Sequence, residues 1–118
     1  MPDERFGNEY RLRKAAEFDR VYKARVFAAD DVLVVNGVAS DLPHCRLGLS
    51  VSRKVGGAVV RNRWKRLIRE AFRTSKENLP AGIDLVVRPQ KGAEPELAAI
   101  RRSLPALARR IARRVRKM

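Results

Sequence analysis

A basic stretch between Val55 and Arg73 holds the side chains of this chain that are best suited to bind another molecule. Rotating each residue by about 100° around a helix places one group of polar side chains on a common side. These are Asn62, Lys65, Arg66, Arg69, Arg73 and Lys76, with Arg61 and Arg63 flanking the first turn. Arginine presents a planar fork that fits phosphate oxygens and base edges. Because Glu70 is the one acidic residue among them, this face predicts a nucleic-acid surface rather than a merely solvated one.

The other reactive side chains form no self-sufficient catalytic group. His44 precedes Cys45, and a cysteine beside a histidine can act as a nucleophile. Adjacent residues of a strand point to opposite faces, so a turn histidine and a half-buried cysteine are the better interpretation. Asp30 and Asp31 could bind a cation, and a solvated turn explains them equally well. No phosphate-binding glycine loop and no zinc-protease motif is present in the sequence.

Two aromatic residues, Phe18 and Tyr22, are four positions apart in a segment with helical spacing. Such a pair could stack on nucleotide bases. Core packing of an amphipathic helix explains the same spacing equally well.

The composition indicates a polyanionic partner. The chain has 118 residues, enough for one domain, and a formal net charge of +14 from 27 basic and 13 acidic residues. The excess lies in residues 46–76, with ten basic and one acidic residue, and in residues 101–118, with eight basic and none. We expect a single domain over residues 1–118, with residues 1–9 as a flexible arm.

A cytoplasmic location without a membrane partner is expected. One cysteine allows no intramolecular disulfide, no apolar run reaches transmembrane length, and the N-terminus lacks a signal-peptide pattern. A basic amphipathic helix can also lie on anionic lipid. This helix is flanked by predicted strands, so its apolar face is expected to pack on a protein core.

The hydrophobic pattern predicts helices and strands that alternate along the chain. Helices are predicted over 12–25 and 58–76, and strands over 32–38, 46–52 and 83–88, with a possible short strand over 25–28. The apolar face of the second helix comprises Val60, Trp64, Leu67, Ile68, Ala71 and Phe72. A last helix begins at Glu94-Pro95 and should kink or split near Ser103, because Pro105 removes a backbone hydrogen bond. The order predicts an α/β sandwich around one mixed sheet.

The segment from Arg46 to Arg73 closely resembles the bacterial ribonuclease P protein component. It carries the R-N-R signature of that family as Arg61-Asn62-Arg63, and the segment A-E-F-D-R-V-Y, from Ala16 to Tyr22, resembles the family's first helix. The resemblance implies a two-layer α/β (α+β) sandwich, ribosomal-protein-S5-domain-2-like, with the order α-β-β-(β)-α-β-α. It also implies a left-handed β-α-β crossover, where a right-handed one is the general rule.

The resemblance implies a single RNA-binding domain that serves as the protein subunit of an endoribonuclease, ribonuclease P. Such a subunit binds a catalytic RNA and the 5′ leader of precursor tRNA, and it promotes removal of the leader. The RNA performs the hydrolysis with Mg²⁺ that is bound mainly by the RNA. We therefore expect no catalytic residue and no tight metal site on the protein, and no required protein partner.

The same resemblance assigns roles to individual residues. The residues implied to bind the RNA subunit are Arg53, Lys54, Arg61, Asn62, Arg63, Lys65, Arg66 and Arg69. The residues implied to line a leader-binding cleft are Phe18, Tyr22 and Ser50, the last on the small, polar face of predicted strand 46–52. The chain departs from the family pattern at Ala28 to Asp31, at Gly57, at Trp64 and at Pro105.

Two other functions compete with this interpretation. The first is a non-catalytic structural RNA-binding protein of the ribosomal type, and the second is a DNA-binding regulator that reads the major groove with helix 58–76. The R-N-R block favours the ribonuclease P interpretation over both. Arginine along the whole helix is more typical of phosphate recognition than of sparse base contacts.

Overall fold

The structure, a computed structural model, describes residues 7–116. Three α-helices and four strands are present in this range. They are α1 (Ala15–Lys23), β1 (Val26–Ala29), β2 (Leu33–Ala39), β3 (Arg46–Leu49), α2 (Ala58–Ser75), β4 (Ile83–Pro89) and α3 (Leu97–Arg116). The strand that the sequence left optional is β1, and the predicted α/β class is confirmed. Most of the predicted arm lies outside the described residues, and Asn8–Tyr10 form a short 3-10 helix.

The strands form one mixed sheet in the order β1-β2-β4-β3. The pairs β1–β2 and β2–β4 are antiparallel, and β3 runs parallel to β4 with Leu47 opposite Leu85. Helix α2 therefore lies within a β-α-β crossover between neighbouring parallel strands. The left-handed sense of this crossover stays a prediction.

The main core lies between one face of the sheet and helices α2 and α3. Side chains that alternate along the strands, such as Val35 and Leu85, are fully buried there together with Trp64 of α2. Gly37 permits this packing, because a Cβ at that position would lie 2.4 Å from Cγ2 of Ile111 on α3. The apolar face predicted for α2 is buried or half-buried from Trp64 onward. Val60 is the exception at 38% exposed, since it lies in the first turn, before the helix reaches the sheet.

Helix α1 covers part of the opposite face, where Val21 packs with Leu12 and Val86. An ion cluster fixes it there around Asp84, which is fully buried. Asp84 accepts hydrogen bonds from Arg46, at 2.9 Å from Nε and 2.7 Å from Nη2, and a further one from Arg20 of α1. The bonds to Asp84 raise the pKa of Arg46, which also pairs with Glu17 of α1 at 2.9 Å. The cluster thus ties α1 to both β3 and β4.

Three predicted boundaries differ from the structure, at both ends of α1 and at the end of β3. The first helix starts at Ala15 rather than at residue 12, since Leu12 N donates to Leu47 O at 2.9 Å and holds the preceding segment extended along β3. It ends before Arg25, whose φ of 56° is left-handed. Strand β3 ends at Leu49, three residues earlier than predicted, and an extended segment leads to the 3-10 helix Arg53–Val55.

The last helix runs without interruption through Pro105, so the predicted split near Ser103 is wrong, and the alternative of a kink stays a prediction. Proline removes the backbone bond to the carbonyl four residues earlier, which belongs to Arg101. Arg101 is exposed, so water can satisfy that carbonyl. Buried side chains on both sides of the proline, including Leu104 and Leu107, stabilise the helix against the sheet.

Candidate nucleic-acid interface

Burial of one face of α2 fixes the orientation of the opposite, basic face. Trp64, Ile68 and Phe72 are fully buried, so the helix cannot rotate without exposing them. Asn62, Arg63, Arg66 and Arg69 are consequently exposed, as the sequence predicts. The ion pairs found among residues 7–116 involve none of these three arginines. Their charges are available to a polyanion.

The one acidic residue of α2 does not neutralise this face. Glu70 Oε1 pairs with Nη2 of Arg73 at 2.5 Å, one turn further along the helix. The hydrogen bond from Arg73 lowers the pKa of Glu70 against the opposing effect of burial. Lys76 lies over the ring of Tyr10 at 4.2 Å, so it belongs to an intramolecular contact. The exposed basic face is therefore concentrated between Arg61 and Arg69.

A groove connects this basic face with helix α1. It has a volume of about 240 Å³ and lies between the N-terminal segment, β3 and α2. Its lining residues are Arg11, Leu12, Arg13, Phe18, Leu47, Leu49, Lys65 and Arg69. Burial, together with repulsion from Arg69 and Arg13, lowers the pKa of Arg11. Clustered like charges beside an aromatic side chain create a strongly positive site suited to a nucleotide.

The two predicted aromatic residues have different environments. Phe18 is half-buried and packs with the cluster around Val21, and a Cβ at Gly48 would lie 2.8 Å from its Cζ. The ring therefore stands directly over β3. Tyr22, four positions later in the same helix, is 37% exposed. Phe18 thus combines core packing with a place in the groove, whereas Tyr22 presents its ring to solvent.

Beyond α1, the same face of the sheet is open. Arg20 of α1 donates hydrogen bonds to Ala39 O, at the end of β2, and to Asp84, at the start of β4. Helix α1 therefore covers the half of this face near Ala39 and Asp84, and the other half is uncovered. Phe27 of β1, which no sequence pattern singled out, is 54% exposed there by strand alternation. Asn36 of β2 is buried, and its Oδ1 has no hydrogen-bond partner among residues 7–116.

A cleft of about 660 Å³ borders this open face. It is lined by Val34, Arg88, Ser52, Lys54 and residues of the loop that follows β4. Ser50 continues the ladder of β3, with its N–H donating to Val87 O at 3.0 Å, so alternation places its side chain on the same face.

The residues predicted to contact RNA therefore occupy two surfaces. Arg61, Asn62, Arg63, Lys65, Arg66 and Arg69 belong to α2, and Lys65 and Arg69 also reach the groove beside Phe18. Arg53 and Lys54 are exposed in the 3-10 helix before α2, and Lys54 lines the cleft on the sheet face. Sequence reasoning missed Arg11, Arg13, Phe27 and Arg88. Their places depend on the pairing of Leu12 with β3 and on the strand register, which no local spacing reveals.

The side chains that the sequence analysis weighed for catalysis or cation binding take part in contacts within the fold. Burial raises the pKa of Cys45 to about 12, which keeps the thiol protonated. His44 Nε2 is 2.8 Å from Glu9 O, and its ring lies 4.8 Å from that of Tyr10. Asp30 accepts hydrogen bonds from the N–H groups of Val32 and Leu33 and from Ser103 Oγ, which organise a turn. Within residues 7–116, no cluster of three or more His, Cys, Asp or Glu side chains could hold a metal ion.

Comparisons with known proteins agree on one family. The family model described as Ribonuclease P matches residues 6–112. The ribonuclease P protein component of Staphylococcus haemolyticus is 40% identical over 95 residues, which cover 80% of this chain and 83% of the relative. That of Brevibacillus brevis is 41% identical over 97 residues, covering 80% and 77%.

Solved structures show the same fold. The RNase P protein of Staphylococcus aureus aligns with a TM-score of 0.74 at 37% identity, covering 87% of this chain and 94% of that one. The RNase P protein from Thermotoga maritima aligns with a TM-score of 0.76 at 33% identity, covering 85% and 96%. None of the helices described here has the length and apolarity needed to span a membrane.

Proposed function

Because this chain belongs to the ribonuclease P protein family, we propose that it binds the catalytic RNA subunit through α2 and the 5′ leader of precursor tRNA through the open sheet face beside α1 and the cleft that borders it. In this way it promotes endonucleolytic removal of the leader, which yields the mature 5′ end. The observation that carries the proposal is the exposed, single-sign face of α2, joined to Phe18 by a positively charged groove.

The two surfaces would bind different parts of the RNA. The face of α2 presents arginine forks to phosphates, which suits a folded RNA recognised through its backbone. The sheet face offers Tyr22 and Phe27 as exposed rings, and its cleft carries Lys54 and Arg88. Exposed rings on the same sheet face as a basic cleft suit a single strand of unpaired nucleotides. A single-stranded leader is such a ligand.

In this proposal the protein side chains position RNA, and the chemistry belongs to the RNA subunit. Mg²⁺ bound mainly by that RNA would supply the activated water and stabilise the departing oxygen. The protein contributes positive charge beside the RNA, which lowers the repulsion between the RNA subunit and its substrate. No metal bound tightly by the protein and no further protein subunit is part of the proposal.

Truncation of Tyr22 tests the leader-binding part. Tyr22→Ala should weaken binding of precursor tRNA to the holoenzyme by about 1 to 3 kcal/mol, the contribution of one base stack. Affinity for mature tRNA, which lacks the leader, should stay unchanged. Tyr22→Phe keeps the ring and should bind both RNAs as the unaltered protein does. The measurement is a titration of labelled precursor and mature tRNA with holoenzyme, with the melting temperature of each variant recorded.

Equal losses for precursor and mature tRNA would contradict leader stacking. Phe18 is less suitable for this test, because its ring packs with Leu12, Val21 and Val86, and Phe18→Ala would also create a cavity. A structural RNA-binding protein of the ribosomal type would show no leader dependence at either position.

A further inference from the structure

The last helix carries an arginine surface that the proposed function does not use. Seven of the 20 residues of α3 are arginine, and none is acidic. They are Arg101, Arg102, Arg109, Arg110, Arg113, Arg114 and Arg116, and all are exposed. A helix that needs only a soluble outer face can mix signs, whereas seven like charges repel one another. The stability of the fold alone does not account for this composition.

Three of these arginines form a straight stripe along the helix. Arg102, Arg109 and Arg113 fall within about 40° of one another around the axis and span about 16 Å along it. The stripe is about 170° from the centre of the buried side, which contains Ile100, Leu104, Leu107 and Ile111. It therefore points directly away from the core. A linear array of guanidinium groups at this scale matches successive phosphates of an RNA backbone.

The arginine surface of α3 adjoins the basic face of α2. Helices α2 and α3 pack on the same face of the sheet. The hydrogen bond from Arg73 is the main cause of the lowered pKa of Glu70, and the charge of Arg101 adds to it. Arg101 therefore lies beside the C-terminal part of α2. At the other side, Arg110 donates to Ala29 O at 3.4 Å and Arg114 donates to Phe27 O. The positive surface thus extends from α2 across α3 to the edge strand β1.

From this geometry we propose that the stripe of Arg102, Arg109 and Arg113 is a second phosphate-binding surface for the catalytic RNA subunit, continuous with the basic face of α2. The inference rests on the proposed function, because it assigns a further contact with the same RNA. An RNA held on α2 lies on the α2–α3 side of the sheet, whereas the leader cleft lies on the opposite face. The occupant of α3 is therefore the RNA subunit rather than the leader.

The structure favours RNA over a lipid surface. A helix that lies on a membrane inserts an apolar side next to its basic side. The apolar side of α3 is buried against the sheet. The large exposed apolar side chains among residues 7–116 are Tyr22, Phe27, Leu42, Val59 and Val60, and none belongs to α3.

The test compares two pairs of substitutions that remove the same charge. Arg109→Gln/Arg113→Gln removes two charges from the stripe, and Lys23→Gln/Arg25→Gln removes two exposed charges from the α1 side. Affinity of each protein for the RNA subunit alone is measured between about 50 and 200 mM salt, and each phosphate contact contributes about one unit to the salt dependence. When the salt is raised over that range, the protein with the α3 pair of substitutions should lose about 10-fold less affinity than the unaltered protein does. Adding Arg102→Gln should lower the salt dependence by about one further unit.

The outcomes separate this inference from the proposed function. Equal salt dependence for the α3 pair and the α1-side pair, with binding still lost when the α2 arginines are replaced, would overturn the α3 surface alone. If replacing the α2 arginines also left binding of the RNA subunit unchanged, the proposed function would be overturned. Weaker binding of mature tRNA, with unchanged affinity for the RNA subunit, would contradict the assigned occupant. Melting temperatures equal to that of the unaltered protein verify that the exposed substitutions leave the fold intact.

Discussion

Replacing Arg63, Arg66 and Arg69 together by glutamine should weaken binding of the RNA subunit by about 1,000-fold. All three side chains are exposed on α2 and take part in none of the ion pairs found among residues 7–116. A hydrogen bond to a charged group contributes about 1.5 kcal/mol, so three such contacts amount to about 4 to 5 kcal/mol, which is on the order of 1,000-fold in affinity. The affinity should also become less dependent on salt by about three units.

The measurement is a binding titration with the RNA subunit at several salt concentrations. Lys23→Gln/Arg25→Gln is the control, because it lowers the net charge on the α1 side and leaves α2 unchanged. The control should lose little affinity, and the triple variant should retain its melting temperature, since the altered side chains are exposed. A loss smaller than about 10-fold, or a loss equal to that of the control after correction for the number of charges, would contradict the role of α2.

Arg46→Ala should destabilise the fold by about 3 to 5 kcal/mol, because it leaves a buried carboxylate with one partner fewer. Asp84 is fully buried, and Arg46 donates two of its hydrogen bonds. Arg20 remains as a partner, but its side chain is 46% exposed and it supplies only one contact. The same substitution removes the bond from Arg46 to Glu17 and so loosens α1.

Urea unfolding of the variants Arg46→Ala and Glu70→Ala compares their losses of unfolding free energy. Glu70 pairs with Arg73 at the surface, and exposed pairs contribute about 0 to 1 kcal/mol. Each substitution therefore removes one charged side chain, Arg46 from a buried ion cluster and Glu70 from a surface pair. Similar losses of unfolding free energy for both would show that the cluster around Asp84 does not hold α1 on the sheet.

The sequence predicted α2 well because burial alone decides its orientation. Helical periodicity identified the side that contains Trp64, Ile68 and Phe72, and the basic face follows as its opposite. The predicted burial of Val60 was wrong, because periodicity does not tell where a helix first meets the sheet. The start of α1 was wrong for a related reason. Leu12 is apolar and fits the helical spacing, but its backbone bonds to Leu47, 35 positions later in the chain.

The sequence likewise predicted one part of the candidate site and missed another. The α2 residues follow from charge pattern and family resemblance together, and the structure displays Arg63, Arg66 and Arg69 on one exposed face. The cleft is different, because residues of β2, β4, the turn before α2 and the loop after β4 form it together. Arg88 reaches it through strand register and Lys54 through the turn before α2, and strand register also exposes Phe27 on the same face of the sheet. The continuity of α3 through Pro105 likewise depends on packing of Leu104 and Leu107 rather than on local preference.

Cleavage of precursor tRNA by the catalytic RNA at low Mg²⁺, with and without this protein, tests the central claim most directly. The protein should markedly increase the rate of leader removal and produce the correct 5′ end, because its charge offsets the repulsion that high Mg²⁺ would otherwise screen. The triple α2 variant should give no increase at the same protein concentration. A protein that binds the catalytic RNA tightly and leaves its cleavage rate unchanged would contradict the account.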